Sequence, residues 1–143
     1  MNDAVHVFID GASQGNPGPA GIGVAFLQHG NAKPLATIYK YIGETTNNVA
    51  EYTALIYALQ EALIRGYRAL QVHTDSELVA KQLSGEYKVR DATLMPFYDQ
   101  YQHLKQGFTA LQVTAIPREQ NRLADQLANE AVESRIDRSL KRS

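Results

Sequence analysis

The sequence predicts one α/β domain built on a mixed sheet, and three observations carry that prediction. Ala4 to Asp10 is a nearly unbroken apolar and β-branched run, as a central strand buried on both faces reads. Two more strand-like segments follow it across short turns, the pattern of an antiparallel meander. Beyond residue 47 the pattern becomes helix, strand, helix, helix, strand, helix, the rhythm of crossover units on a sheet.

Each element has its own warrant. The turn Gly15-Asn16-Pro17-Gly18-Pro19 ends the first strand, Gly21 to Gln28 reads as the second and Pro34 to Ile42 as the third. Asn48 to Arg65 is the clearest helix. Glu51, Ala54, Leu55, Ala58, Leu59, Ala62 and Leu63 form one stripe, Thr46 to Asn48 supply capping side chains, and Gly66 is the stop. Leu70 to Thr74 is a fourth strand, Ser76 to Leu83 a short helix and Ser84 to Asp91 a polar loop. Leu94 to Gln106 is a helix with Pro96 in its first turn, Thr109 to Ile116 a fifth strand, and Asn121 to Arg135 a helix facing inward through Ala124, Leu127, Ala128 and Ala131. Strands one, four and five then run parallel through right-handed crossovers. One domain over residues 1–135 and a basic tail over 136–143 are expected, since 143 residues suffice for a proper core.

Composition narrows the function classes. A hydrophobic fraction of 44% and a charged fraction of 20% are ordinary for a globular chain. No apolar run is long enough to span a bilayer and no signal peptide precedes the first strand, so a cytoplasmic protein with no membrane partner is expected. The absence of Cys excludes disulfides and thiolate zinc sites. A net charge of −1 does not announce a nucleic-acid binder, although a cluster of acids that binds cations hides part of the balance.

Four carboxylates stand in tight local signatures: Asp10 in Ile9-Asp10-Gly11-Ala12-Ser13-Gln14-Gly15-Asn16-Pro17-Gly18, Glu51 in Thr45-Thr46-Asn47-Asn48-Val49-Ala50-Glu51, Asp75 in Thr74-Asp75-Ser76-Glu77, and Asp125 in Arg118-Glu119-Gln120-Asn121-Arg122-Leu123-Ala124-Asp125. Asp10 and Asp75 end apolar strands, where open α/β sheets bind ligands; the plain alternative is that each starts a turn or caps a helix. Glu51 heads the apolar stripe of its helix. A capping box with Asn48 competes, but a capping Glu leans towards water, and this one leans towards Ala54 and Leu55. Asp125 alone reads as a charge that complements a helix N-terminus. Convergence of all four requires a cation, and oxygen-only ligands point to Mg²⁺ or Mn²⁺. Two such ions about 3.5–4 Å apart suit phosphodiester hydrolysis.

Other features carry less. The glycine-rich turn opens onto a strand and lacks a Walker Lys-Ser/Thr, which rules out a dinucleotide or P-loop site; Asn16 contacts a phosphate or base edge, or is simply a turn residue. His6, His29, His73 and His103 lack metal-ligand spacing. His73 shares a strand face with Asp75 and invites a catalytic role, but packed or surface histidines are the better reading.

Together the four signatures resemble type 1 ribonuclease H, in its compact cellular branch, from about Val5 to Ala131. The resemblance implies a ribonuclease H-like fold with strand order 3-2-1-4-5, and divalent-metal hydrolysis of the RNA strand of RNA–DNA hybrids that leaves 5′-phosphates. It implies two metal ions held by Asp10, Glu51, Asp75 and Asp125, and hybrid contacts from Gly11, Asn16, Thr46, Asn47 and Asn48. Glu77 stands where many relatives have Gln. Many bacterial relatives carry a His in the loop before the last Asp; here that loop offers Arg118 and Glu119, and Arg118 is the residue expected to ease product departure. The basic, Trp-containing protrusion of those relatives is missing, with only Lys88 and Arg90 between Gly85 and Asp91. A monomer is expected. The alternatives are a weakly active or inactive relative that binds nucleic acid, and a transposase- or resolvase-like nuclease on the same fold, a class without the Thr-Asn-Asn and Arg-Glu-x-Asn signatures together.

Overall fold

The computed structural model describes residues 4–28 and 33–135. His29 and the tail 136–143 lie outside the described residues. The elements are β1 (Val5–Ser13), β2 (Gly18–Gln28), β3 (Ala36–Thr45), α1 (Asn47–Arg65), β4 (Ala69–Thr74), α2 (Glu77–Ser84), α3 (Met95–Lys105), β5 (Ala110–Ala115) and α4 (Arg122–Ser134), with one 3₁₀ turn over Arg118–Gln120. The five strands form one sheet in the order β3-β2-β1-β4-β5. β1 pairs antiparallel with β2 and parallel with β4, and β4 pairs parallel with β5. This is the predicted ribonuclease H-like α/β architecture.

Alternation along the strands sorts the two faces. Val5, Val7 and Ile9 of β1 are buried in one core with Leu55 and Leu59 of α1, Val72 of β4 and Val79 of α2. On the other face α4 lies over β1, β2 and β3 through small residues. A Cβ at Gly23 would overlap Ala124 O, so this close approach of helix to sheet needs glycine. Ala124, Ala128 and Ala131 are fully buried beneath it.

Two boundaries differ from the sequence expectation in ways that bear on the site. The first strand does not stop at Asp10. Gly11, Ala12 and Ser13 continue it, because they pair with Ile22, Gly21 and Ala20 of β2. On its other side β1 stops pairing at Ile9, opposite Thr74. Asp10 and Asp75 are thus the first residues past the last β1–β4 pair, where the ladder opens. The helix α1 is capped by Thr46, whose Oγ1 accepts from Val49 N at 3.2 Å. The capping box between Asn48 and Glu51 is therefore not formed, since Glu51 lies five residues beyond the cap. Among the described residues no helix is long and apolar enough to cross a membrane.

Candidate metal centre

The site forms where the β1–β4 ladder ends and the N-terminal part of α1 passes across it. Gly11 permits the crossing. A Cβ there would overlap the backbone of Ala50 and Glu51, so only glycine lets the helix lie this close to the strand. The contact is used: Gly11 N–H donates to Glu51 Oε2 at 3.1 Å, and Thr74 Oγ1 donates to Glu51 Oε1 at 3.2 Å. Both oxygens of a carboxylate 5% exposed are thereby held in place.

Asp10, Glu51 and Asp75 each bring one carboxylate oxygen to within 4.8 Å of the others. Asp10 is 4% exposed and Asp75 half-buried. The electrostatics record the strain of gathering acids without a counter-charge. Burial, then the charges of Glu51 and Asp75, push the Asp10 carboxyl up to about 10. Burial likewise raises Glu51, to about 7, although its hydrogen bonds from Asp10 and Gly11 oppose the rise. Burial thus favours the protonated form of both carboxyls, most strongly that of Asp10. Such a cluster is fitted to a divalent cation: it is compact and oxygen-only, and it keeps a proton that a cation would displace.

The remaining predicted residues divide. Asp125, in the first turn of α4, is half-buried and adds to the rise of the Asp10 carboxyl, but it stands outside the compact triad. Its Oδ1 accepts from Asn129 Nδ2 at 3.1 Å. Asp10, Gly11, Asn47, Arg118 and Asp125 line one open cleft of about 370 Å³. Asp75, Glu77 and Arg118 line a second of about 440 Å³, so exposed Arg118 borders both. Glu77 is exposed in the first turn of α2, whose cap is Ser76, not Asp75. Asn16 Oδ1 accepts from Asn47 N at 2.9 Å, which joins the glycine-rich turn to the start of α1. Asn47 is exposed and Asn48 half-buried beside it, while the Thr46 side chain is engaged as the cap.

His73 is engaged by neighbouring rings. Its Nε2 lies 2.9 Å from His6 Nδ1, and its ring stacks on His6 and Phe8. His103 is exposed on α3.

Two residues of the site were not singled out from sequence. Thr74 is fully buried and orients Glu51. Asn121, 1% exposed, donates from Nδ2 to Ile9 O at 2.9 Å and to Asp75 Oδ2 at 3.4 Å. Their signal was positional only: Thr74 directly precedes Asp75, and Asn121 stands one helical turn before Asp125.

Comparison with known proteins agrees with this architecture. The family model described as "Reverse transcriptase-like" matches residues 8–131. Ribonuclease HI of Halobacterium salinarum is 42% identical over 90% of this chain and 64% of its own length. A bifunctional protein of Mycobacterium tuberculosis is 42% identical over 87% of this chain, which spans only 34% of that relative. The chain therefore covers between about a third and two thirds of these curated relatives. Among solved structures, RNase H1 of Halobacterium salinarum superposes with a TM-score of 0.87 at 41% identity, covering 92% of this chain and 98% of that one. LC11-RNase H1, solved in complex with an RNA/DNA hybrid, does so with a TM-score of 0.86 at 41% identity and the same coverage. With the model matched along almost the whole described domain and solved relatives of this identity covered nearly end to end, the chain belongs to the type 1 ribonuclease H family.

Proposed function

We propose that this protein hydrolyses the RNA strand of RNA–DNA hybrids with divalent metal ions held by Asp10, Glu51, Asp75 and Asp125. The observation that carries this reading is the carboxylate triad within 4.8 Å, whose Glu51 is buried and fixed through both oxygens. The hybrid bound by LC11-RNase H1 supports the choice of substrate. When bound, two ions would supply Lewis acidity at the scissile phosphate and lower the pKa of the attacking water.

The protein's own residues do the rest. Asp10, Glu51 and Asp75 set the position of the reaction centre, and Asp125 closes it from the opposite layer. Gly11 presents its backbone at the cleft wall. Asn16 and Asn47, already joined, and Asn48 offer amide groups to the minor groove, where the 2′-hydroxyl distinguishes RNA from DNA. Thr46 acts through the helix cap that places them. Glu77 contacts the RNA strand as an acceptor only, unlike Gln. Arg118, bordering both clefts, neutralises phosphate as the product departs. The competing reading, a family member that binds hybrid with little or no cleavage, has the net charge of −1 and the missing basic protrusion in its favour.

The deciding experiment measures cleavage of an RNA–DNA hybrid with Mg²⁺ and with Mn²⁺, beside DNA and RNA duplex controls. Metal-dependent cutting of the RNA strand alone is expected. Equal cutting of the DNA duplex, or hybrid binding without cutting under either metal, would overturn the assignment.

A further inference from the structure

We propose that Asn121 is a positioning residue for the carboxylate cluster, holding Asp75 and the end of β1 in the geometry that a divalent cation needs. The proposal rests on the reading of the cluster as a metal site.

Asn121 occupies the cap position of α4, where Asn is among the most favoured residues because its side chain can accept a helix N–H. Here it makes no such bond. The side chain turns inward instead. Its Nδ2 donates to Ile9 O at 2.9 Å, the carbonyl adjoining Asp10, and reaches Asp75 Oδ2 at 3.4 Å. Its backbone carbonyl accepts from Asp125 N at 3.1 Å. One residue thus touches β1 beside Asp10, the Asp75 carboxylate, and the first turn of the helix that carries Asp125.

Packing does not explain the choice. The residue is 1% exposed and its Oδ1 has no partner among the described residues, a destabilising state for a buried acceptor. An apolar side chain would avoid that penalty. The amide orientation is set by its surroundings, since Ile9 O and the Asp75 carboxylate both call for a donor. A neutral donor also suits the task. It orients Asp75 without neutralising it, so the negative charge stays available to a cation, where Arg or Lys at this position would compete with the metal.

The test is calorimetric titration of Mn²⁺ into the metal-free protein, without nucleic acid, for the wild type, Asn121→Leu and Asn121→Ser. Leucine removes the donor and the orphaned acceptor together; serine keeps a capping hydroxyl but is too short to reach Asp75. Unfolding temperatures without metal, and kcat and KM on hybrid, are measured alongside. Mn²⁺ affinity should weaken about 10–100-fold in both variants, as outer partners of metal ligands typically produce. The KM for hybrid should stay near the wild-type value. Wild-type Mn²⁺ affinity in either folded variant would overturn the proposal. Failure of both to fold would also overturn it, by assigning Asn121 to stability alone. A wild type that binds Mn²⁺ and leaves hybrid uncut would sink the proposed function while leaving this inference open to the same titration.

Discussion

Strands β1 and β4 carry two groups of titratable side chains, and the two groups solve the problem of burial in opposite ways. His6 and His73 lie within the ladder, on residues paired to Gln71 and Phe8. Asp10 and Asp75 stand just past its last pair. The histidines partner each other. His6 Nδ1 and His73 Nε2 lie 2.9 Å apart in one hydrogen bond, the rings stack, and His73 also stacks on Phe8. The acids are not complete. Asp10 is pushed up to about 10 and retains a proton that an aspartate in water would lose. Burial lowers His73, towards neutrality as imidazole, and raises Asp10, towards neutrality as carboxylic acid. Neutral imidazole leaves His73 a packing element. In the acids, three carboxylate oxygens within 4.8 Å of one another suit a divalent cation.

The sharpest way to break this contrast is to remove charge from one group at a time. Asp75→Asn or Asp10→Asn should lower hybrid cleavage by about a thousandfold or more, since metal polarisation supplies several kcal/mol of transition-state stabilisation. The same substitutions should leave the metal-free fold intact or raise its Tm by a few degrees, at about 4 °C per kcal/mol of relieved repulsion. Paired cleavage and unfolding measurements check both halves. Near-normal cleavage by Asp75→Asn would mean that the acids are not the reaction centre.

The acid cluster was legible in sequence because metal chemistry restricts residue type and the four signatures kept their order. Glu51 was the most readable, since a carboxylate heading an apolar stripe has few structural uses; the Thr46 cap then removed its rival explanation. What stayed hidden depended on contacts between distant segments. Nothing local says that Gly11 N–H will meet Glu51, 40 residues away, or that Asn121 will bypass its cap to reach Ile9, 112 residues away. Asn121 does stand at the helix start, but its side chain serves a contact that no local pattern encodes. The strand end failed for a similar reason. Gly11, Ala12 and Ser13 have low strand propensity, but pairing with β2 overrides it.

A second contrast concerns pH. The folded-state pKa values of Asp10 and Glu51 lie above their ordinary 3.8 and 4.5, so the folded protein holds protons that the unfolded chain releases. Stability from these groups is fully present below about pH 4 and is lost as pH rises towards about 7 for Glu51 and about 10 for Asp10. Metal-free Tm should therefore fall across the neutral range, and saturating Mg²⁺ should reverse the fall. Asp10→Asn should flatten it. Thermal melts at several pH values with and without metal give the answer, and a metal-free Tm that rises steadily from pH 5 to 9 would contradict the shifts.

The smallest expected effect belongs to the histidines, and its sign is opposite. Burial, then the neighbouring His6, lowers His73 below its ordinary 6.5, and its buried Nδ1 has no partner among the described residues to receive a second proton's bond. The unfolded chain thus binds protons more readily than the folded one as pH drops below about 6.5, and stability from this group is lost on the acid side. His73→Phe should remove that loss. The new ring keeps the stack against Phe8 and eliminates the orphaned nitrogen, but it leaves His6 Nδ1 without its partner, so Tm at neutral pH should hold or fall slightly. Cleavage should remain near the wild-type rate, because His73 touches none of the carboxylates through a hydrogen bond and faces His6 instead. Melts of His73→Phe between pH 5 and 8, with cleavage rates at each pH, separate the two groups. If the substitution abolished cleavage while the fold survived, the histidine pair would have to be counted as part of the reaction centre, and the division drawn between the two groups would fail.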